Sequence, residues 1–76
     1  MNLLEEIKDI IYDYLGDDTQ EIGHGTRFAE DLGLSSLDLV TLLARIEDEF
    51  RIRIEDSAAV NIKTVGDLLH CVGKLL

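Results

Sequence analysis

Two adjacent serines, Ser35 and Ser36, stand where a glycine-containing turn meets an apolar periodic run, in the stretch LGLSSLDLV. If Ser35 is a helix N-cap, its hydroxyl accepts from the amide of Asp38, whose carboxylate accepts in return from the amide of Ser35. Ser36 then lies in the first helical turn, beside unpaired amides and the positive end of the helix dipole, where a phosphate ester would be stabilised. Because serine is also among the commonest residues at helix starts, this local pattern leaves both a structural and a chemical interpretation open.

The other residues that could take part in catalysis or metal binding do not form a recognisable motif in the sequence. Cys71 is the only cysteine, and we interpret it as a buried thiol on the last helix. His24 and His70 lack the spacing of metal ligands, so we interpret them as surface residues of a loop and of a helix. The runs of acidic residues do not match a calcium-binding loop. The sequence therefore predicts no catalytic residue and no metal site, and an enzyme is the least favoured class of function.

Composition narrows the class of protein further. The chain has 76 residues, of which 46% are hydrophobic, enough for one small core, so we predict a single domain over residues 1–76. Its net charge of -9 disfavours nucleic acid as a partner. A single cysteine, no leader pattern and no long uncharged apolar run predict a soluble cytoplasmic protein without a membrane span.

Apolar periodicity and capping signals predict the helices. The first covers Leu3 to Leu15 and stops at Gly16. The second runs from about Ser36 to Phe50, with an apolar stripe facing the core. Residues 56–60 suffice for about one helical turn. The last helix begins at Thr64, where the run TVGD is typical of a capping box.

The segments between these helices have no sustained period. The pattern of residues 17–34 predicts a long loop, which the side chains of Ile22 and Phe28 attach to the core. Residues 51–54 predict an extended connection, because four residues without a partner strand do not form a sheet. The predicted fold is all-α, a four-helix bundle with three longer helices, one short helix and a long loop between the first two.

Three motifs in this order resemble a known family. They are FAEDLGLSSLDLV from Phe28 to Val40, IEDEF from Ile46 to Phe50, and TVGD from Thr64 to Asp67. With the length, acidity and helix order of the chain, they resemble an acyl carrier protein. The resemblance implies that Ser36 carries 4'-phosphopantetheine, attached covalently from coenzyme A. The chain departs from the family's motif at Ser35, where aspartate is most common, and this change alters the site that transferases tuned to aspartate recognise.

The resemblance also implies a function without catalysis. The arm would carry acyl intermediates as thioesters for fatty acid, polyketide or related lipid biosynthesis. Partners would be a phosphopantetheinyl transferase and the acyl-loading, condensing and transferring enzymes, and the carrier would be a monomer. The tether would raise the effective concentration of the acyl group near a docked enzyme. An apolar interior would shelter the acyl chain, lined by Leu39, Leu43, Ile46, Ile62 and Leu68.

Partner docking in this family uses the exposed face of the second helix. The docking residues implied here are Leu37, Asp38, Thr41, Arg45, Glu47 and Asp48. Thr41 occupies a position that is frequently acidic, and Arg45, Arg51 and Arg53 add positive charge, which favours a specialised pathway. Two alternatives stay open: a carrier of amino acids, of the peptidyl or D-alanyl type, and a carrier-like subunit with a structural or regulatory role that is never loaded.

Overall fold

The computed structural model describes residues 2–76, and these form four helices, of which the first two have the predicted bounds while the third ends one residue earlier and the fourth begins one residue later than predicted. They are α1 (Leu3–Leu15), α2 (Ser36–Phe50), α3 (Asp56–Ala59) and α4 (Val65–Leu75). No strand occurs among the described residues, where one isolated bridge joins Arg27 to Thr64. The all-α prediction is confirmed.

Local hydrogen bonds explain where the helices begin and end. The Asn2 side chain accepts from the Leu4 amide at 2.8 Å, and α1 stops at Gly16, whose φ of 68° is left-handed. At the start of α4, Thr64 and Asp67 form the predicted capping box. The end of α2 differs from this pattern, because its C-cap is Arg51, a non-glycine residue with φ of 56°. A side chain in the left-handed region costs about 1 kcal/mol or more, so surrounding contacts must stabilise this turn.

The core is a single cluster to which all three long helices contribute. Packing buries one face of each long helix, because each carries apolar residues at helical spacing. The least exposed large side chains of the core are Ile7 and Ile11 of α1, Leu42 and Ile46 of α2, and Val65, Leu68 and Val72 of α4.

The long loop between α1 and α2 is tied to the core and to the start of α4. Ile22 and Phe28 are both buried, as predicted. The Val65 amide donates to the Thr26 carbonyl at 2.9 Å, and the Phe28 amide donates to the Lys63 carbonyl at 3.0 Å. The loop therefore satisfies backbone groups at the start of α4 that a helix end otherwise leaves unpaired.

Gly66 offers a test of this attachment. Its amide donates to the His24 carbonyl at 2.8 Å, and a Cβ on Gly66 would lie 2.9 Å from the same oxygen. We expect Gly66→Ala to lower the free energy of unfolding by about 1–2 kcal/mol, because backbone must move to relieve the contact. Chemical denaturation measures the change.

Gly73→Ala is the matched control, since Gly73 lies on the same helix with nothing within 4 Å of the added Cβ. There alanine should raise the free energy of unfolding by up to about 1 kcal/mol through helix propensity. Equal stabilisation by both substitutions would contradict the described attachment of the loop.

Candidate functional site

The start of α2 is organised by the predicted capping box. The Ser35 hydroxyl accepts from the Asp38 amide at 3.1 Å, and Asp38 Oδ2 accepts from the Ser35 amide at 2.9 Å. The Ser35 hydroxyl also donates to Asp38 Oδ2 at 3.0 Å. Ser35 is thus fully engaged in capping, which leaves its neighbour as the chemically available serine of the pair.

Ser36 is the first residue of α2, and it is exposed. Its side chain makes no hydrogen bond to any of residues 2–76. The amides of the first turn and the helix dipole give this position a positive partial charge. A phosphodiester on the Ser36 hydroxyl is therefore both sterically accessible and electrostatically favoured.

A third residue, Tyr14 of α1, joins the capping box from a distant part of the chain. Its hydroxyl donates to Asp38 Oδ1 at 3.0 Å. No local pattern in the sequence predicts this contact, because Tyr14 and Asp38 lie 24 positions apart. The available signal was its hydroxyl, since a tyrosine packed against a core usually finds a hydrogen-bond partner.

These donors change the acidity of Asp38. The Ser35 amide, the Tyr14 hydroxyl and the Ser35 hydroxyl stabilise the carboxylate and hold the pKa of Asp38 below its ordinary value of 3.8. The same bond to Asp38 raises the pKa of Tyr14 above its ordinary value of 10.0. At neutral pH the start of α2 therefore holds a charged carboxylate and a neutral phenol.

The lowered pKa predicts how the capping box responds to acid. A group whose pKa is depressed by folding stabilises the protein fully above its unfolded-state pKa, near 3.8, and loses that contribution as pH falls through the lower folded-state value. We expect wild type to be more stable than Asp38→Asn at neutral pH, and the difference to shrink below about pH 4. Thermal melts of both proteins from neutral to acid pH measure it, and a difference that grows on acidification would contradict the prediction.

An open groove runs beside Ser36 between α2 and α3. Its volume is about 460 Å³. The lining residues are Ser36, Leu39, Val40 and Leu43 on α2, with Asp56, Ala59, Val60, Ile62 and Lys63 on and after α3. The groove thus combines a serine hydroxyl, a mainly apolar surface, one lysine and one carboxylate, that of Asp56.

Of the five residues expected to line an acyl-binding interior, the structure brings three to this groove. These are Leu39, Leu43 and Ile62. Ile46 and Leu68 are both completely buried in the core, so they do not face the groove.

Two of the predicted docking residues with acidic side chains make bonds within the protein. Asp38 is held by Ser35 and Tyr14, as described above. Glu47 accepts from the Ile54 amide at 2.7 Å, which helps to stabilise the left-handed turn at Arg51. Neither carboxylate is therefore wholly free to meet a partner.

Of the other four predicted docking residues, one is paired within the protein and three are exposed. Arg45 pairs with Asp13 of α1 at 2.6 Å between Nη2 and Oδ2. Leu37, Thr41 and Asp48 are exposed at helical spacing on the outer face of α2. The Thr41 hydroxyl donates to the Leu37 carbonyl at 3.1 Å, so it adds no charge to that face.

His24, His70 and Cys71 lie outside the groove beside Ser36. His70 and Cys71 line a groove of about 470 Å³ between the α3 region and α4, and His24 is exposed on the loop. The Cys71 thiol is half-buried rather than buried. Within residues 2–76, no three side chains of His, Cys, Asp or Glu come together as a metal-binding group. None of the helices described is long and apolar enough to cross a membrane.

The helix order and the serine beside an open groove define the class of small helical carrier domains. Residues 5–72 match the family model of the phosphopantetheine attachment site. An acyl carrier protein of Sinorhizobium fredii is 41% identical over 73 residues, which cover 96% of this chain and 94% of the relative.

Solved structures give the same result. One from Mycobacterium tuberculosis, assigned to the acyl carrier proteins, has a TM-score of 0.90 and 38% identity, covering 96% of this chain and 97% of that one. An acyl carrier protein from Thermotoga maritima has a TM-score of 0.83 and 34% identity, covering 96% of this chain and 85% of that one. The chain belongs to the acyl carrier protein family, whose members are carriers rather than catalysts and whose cofactor is 4'-phosphopantetheine.

Proposed function

We propose that Ser36 is the attachment residue for 4'-phosphopantetheine. The observation that carries the proposal is its exposed hydroxyl at the first position of α2, beside a groove that Lys63 also lines. The residues present fit the group, because the helix amides favour its phosphate, Lys63 offsets the opposing charge of Asp56 in the groove, and the apolar lining suits its alkyl parts. When attached, the arm supplies a thiol that carries an acyl chain as a thioester.

The protein's own residues hold and present the arm. Ser35, Asp38 and Tyr14 fix the start of α2, so the attachment oxygen keeps a defined position relative to the groove. Leu39 is half-buried and Leu43 and Ile62 are buried, so these three side chains offer a small apolar surface on which part of an acyl chain can be withdrawn from water. No general base or nucleophile is needed here, because the enzymes that dock supply them.

We infer that the cargo is an acyl intermediate of fatty acid, polyketide or related lipid biosynthesis. The names of the relatives support an acyl cargo over an amino acid. Ser35 in place of aspartate and Thr41 in place of an acid favour a specialised pathway. We further propose that residues 1–76 act as a single monomeric domain in the cytoplasm, with a phosphopantetheinyl transferase and acyl-loading, condensing and transferring enzymes as partners.

Intact mass after incubation with coenzyme A and a broad-specificity phosphopantetheinyl transferase tests the attachment. One phosphopantetheine per chain, mapped to the peptide that contains Ser36, is the expected result. An unchanged mass in folded protein, with a control carrier modified in parallel, would favour the alternative of a carrier-like subunit that is never loaded. An arm mapped to another peptide would move the site.

A further inference from the structure

The groove beside the proposed attachment serine holds few charged groups. Of the described residues that line it, two are charged, Asp56 and Lys63, and both are exposed. A further carboxylate lies close by, because Asp38 is in the same first turn of α2 as Ser36 and is ionised at neutral pH. Lys63 is therefore the only basic residue among the described residues of the groove, beside two carboxylates.

The backbone of Lys63 is fixed from two sides. Its carbonyl accepts from the Phe28 amide at 3.0 Å, and its amide donates to Asp67 Oδ2 at 2.9 Å. The preceding residue, Ile62, is buried in the core. The Cα of Lys63 thus has a defined position beside the groove, and the flexible four-carbon side chain determines where the ammonium lies.

The ammonium of Lys63 is available to an anion. Other basic residues form ion pairs with carboxylates, and these are Lys8, Arg27, Arg45 and Arg53. Lys63 forms no ion pair with the carboxylates of residues 2–76. The positive charge of Lys63 contributes to the lowered pKa of Asp67, but that carboxylate already accepts from the amides of Lys63 and Thr64.

We infer that Lys63 binds the phosphodiester of the arm once the arm is attached to Ser36, and so holds the beginning of the arm beside the groove. This inference rests on the proposed function of Ser36. The phosphodiester adds a negative charge to a site that already holds Asp38 and Asp56, and the ammonium brings three donors for its oxygens. Lys63 is thus a positioning residue, which takes no part in the transfer of the acyl group.

The test uses the three lysines of the chain, Lys8, Lys63 and Lys74, because two of them serve as controls in the same molecule. Lys8 pairs with Glu5, and Lys74 lines the separate groove that contains Cys71. The full chain is prepared unloaded and loaded with phosphopantetheine, its thiols are blocked, and both forms are labelled with a trace of acetic anhydride over a range of pH. Peptide mapping gives the rate at each lysine, and this rate reports the fraction of uncharged amine.

Loading should lower the rate at Lys63 about threefold at pH values below its pKa, because a neighbouring anion favours the charged amine. The rates at Lys8 and Lys74 should change by less than about 1.5-fold, since neither lines the groove beside Ser36. Asp56 and Asp67 face Lys63 in both forms, so their effect is common to the two measurements. Raising sodium chloride from about 0.05 M to about 0.5 M should remove most of the difference, because salt screens exposed charges.

A second readout is taken at the phosphate itself. In the loaded protein, Lys63→Gln should shift the phosphorus-31 resonance of the phosphodiester, because the variant loses the ammonium that contacts it. Lys74→Gln is the matched control and should leave the resonance where it is in wild type. Both lysines are exposed, so thermal melts should show that both variants remain folded.

The outcomes separate this inference from the proposed function. If the arm maps to Ser36 and loading changes all three lysines equally, or leaves Lys63 unchanged, Lys63 does not bind the phosphodiester. A loss of reactivity at Lys63 that persists at high salt would show that the arm only shields the amine sterically, and would also overturn the inference. Wild type that never gains the arm, beside a control carrier that does, would remove the proposed function itself.

Discussion

Ser36→Ala is expected to abolish loading with phosphopantetheine completely while leaving the fold unchanged. The substitution removes the only atom through which the group would be attached. It costs little stability, because Ser36 is exposed and its hydroxyl bonds to none of the described residues. Intact mass after incubation with coenzyme A and the transferase measures loading, and circular dichroism checks the helices.

Ser35→Ala is the matched control one residue away. It removes the N-cap of α2 and should lower the free energy of unfolding by about 0.5–2 kcal/mol. Loading should nevertheless occur on this variant, since the attachment oxygen remains. A Ser36→Ala protein that still gains the arm, together with a Ser35→Ala protein that does not, would assign the site to Ser35 instead.

Phe28→Ala is expected to cause the largest loss of stability. Phe28 is 2% exposed, and its backbone joins the start of α4 to the turn before α2, through the Lys63 carbonyl and the Leu34 amide. Truncating a buried phenylalanine costs about 3–5 kcal/mol. Small domains have about 5–15 kcal/mol of stability in total, so this change consumes a large share of it. Urea denaturation measures the free energy of unfolding.

Phe28→Leu is the control variant that shows how much of the lost free energy of unfolding comes from the missing apolar volume. It keeps an apolar side chain of intermediate size and should cost about 1–2 kcal/mol. Hydrogen exchange of the alanine variant should also show faster exchange of the loop amides over residues 22–34, because their anchor is lost. A loss below about 1 kcal/mol for Phe28→Ala would mean that the loop is held by its backbone bonds alone.

The acidic residues of α2 show why a sequence pattern is a poor guide to which charged groups are free. The family resemblance implied that the acids at positions 38, 47 and 48 are docking residues on α2. In the structure Asp38 and Glu47 accept hydrogen bonds from Ser35, Tyr14 and Ile54, whereas Asp48 is exposed. Three acids that look alike in the sequence therefore differ in the structure in how freely they can meet a partner.

The sequence alone determined the helices and the capping box at Ser35. Helix ends depend on groups within about four residues of one another, such as Ser35 with Asp38 and Thr64 with Asp67, so local patterns suffice. The left-handed turn at Arg51 is the exception. No glycine marks this turn in the sequence, and it is stabilised by the hydrogen bond from the Ile54 amide to Glu47.

Only the tertiary structure decided which groups around Ser36 are free. The hydroxyl of Tyr14 reaches Asp38 across 24 positions of the chain, and Asp13 reaches Arg45 across 32. The groove beside the serine likewise exists only because folding brings the residues on and after α3, such as Val60, close to Val40 of α2. A side chain's availability depends on partners that folding brings from distant segments, whereas the bounds of a helix depend on its immediate neighbours.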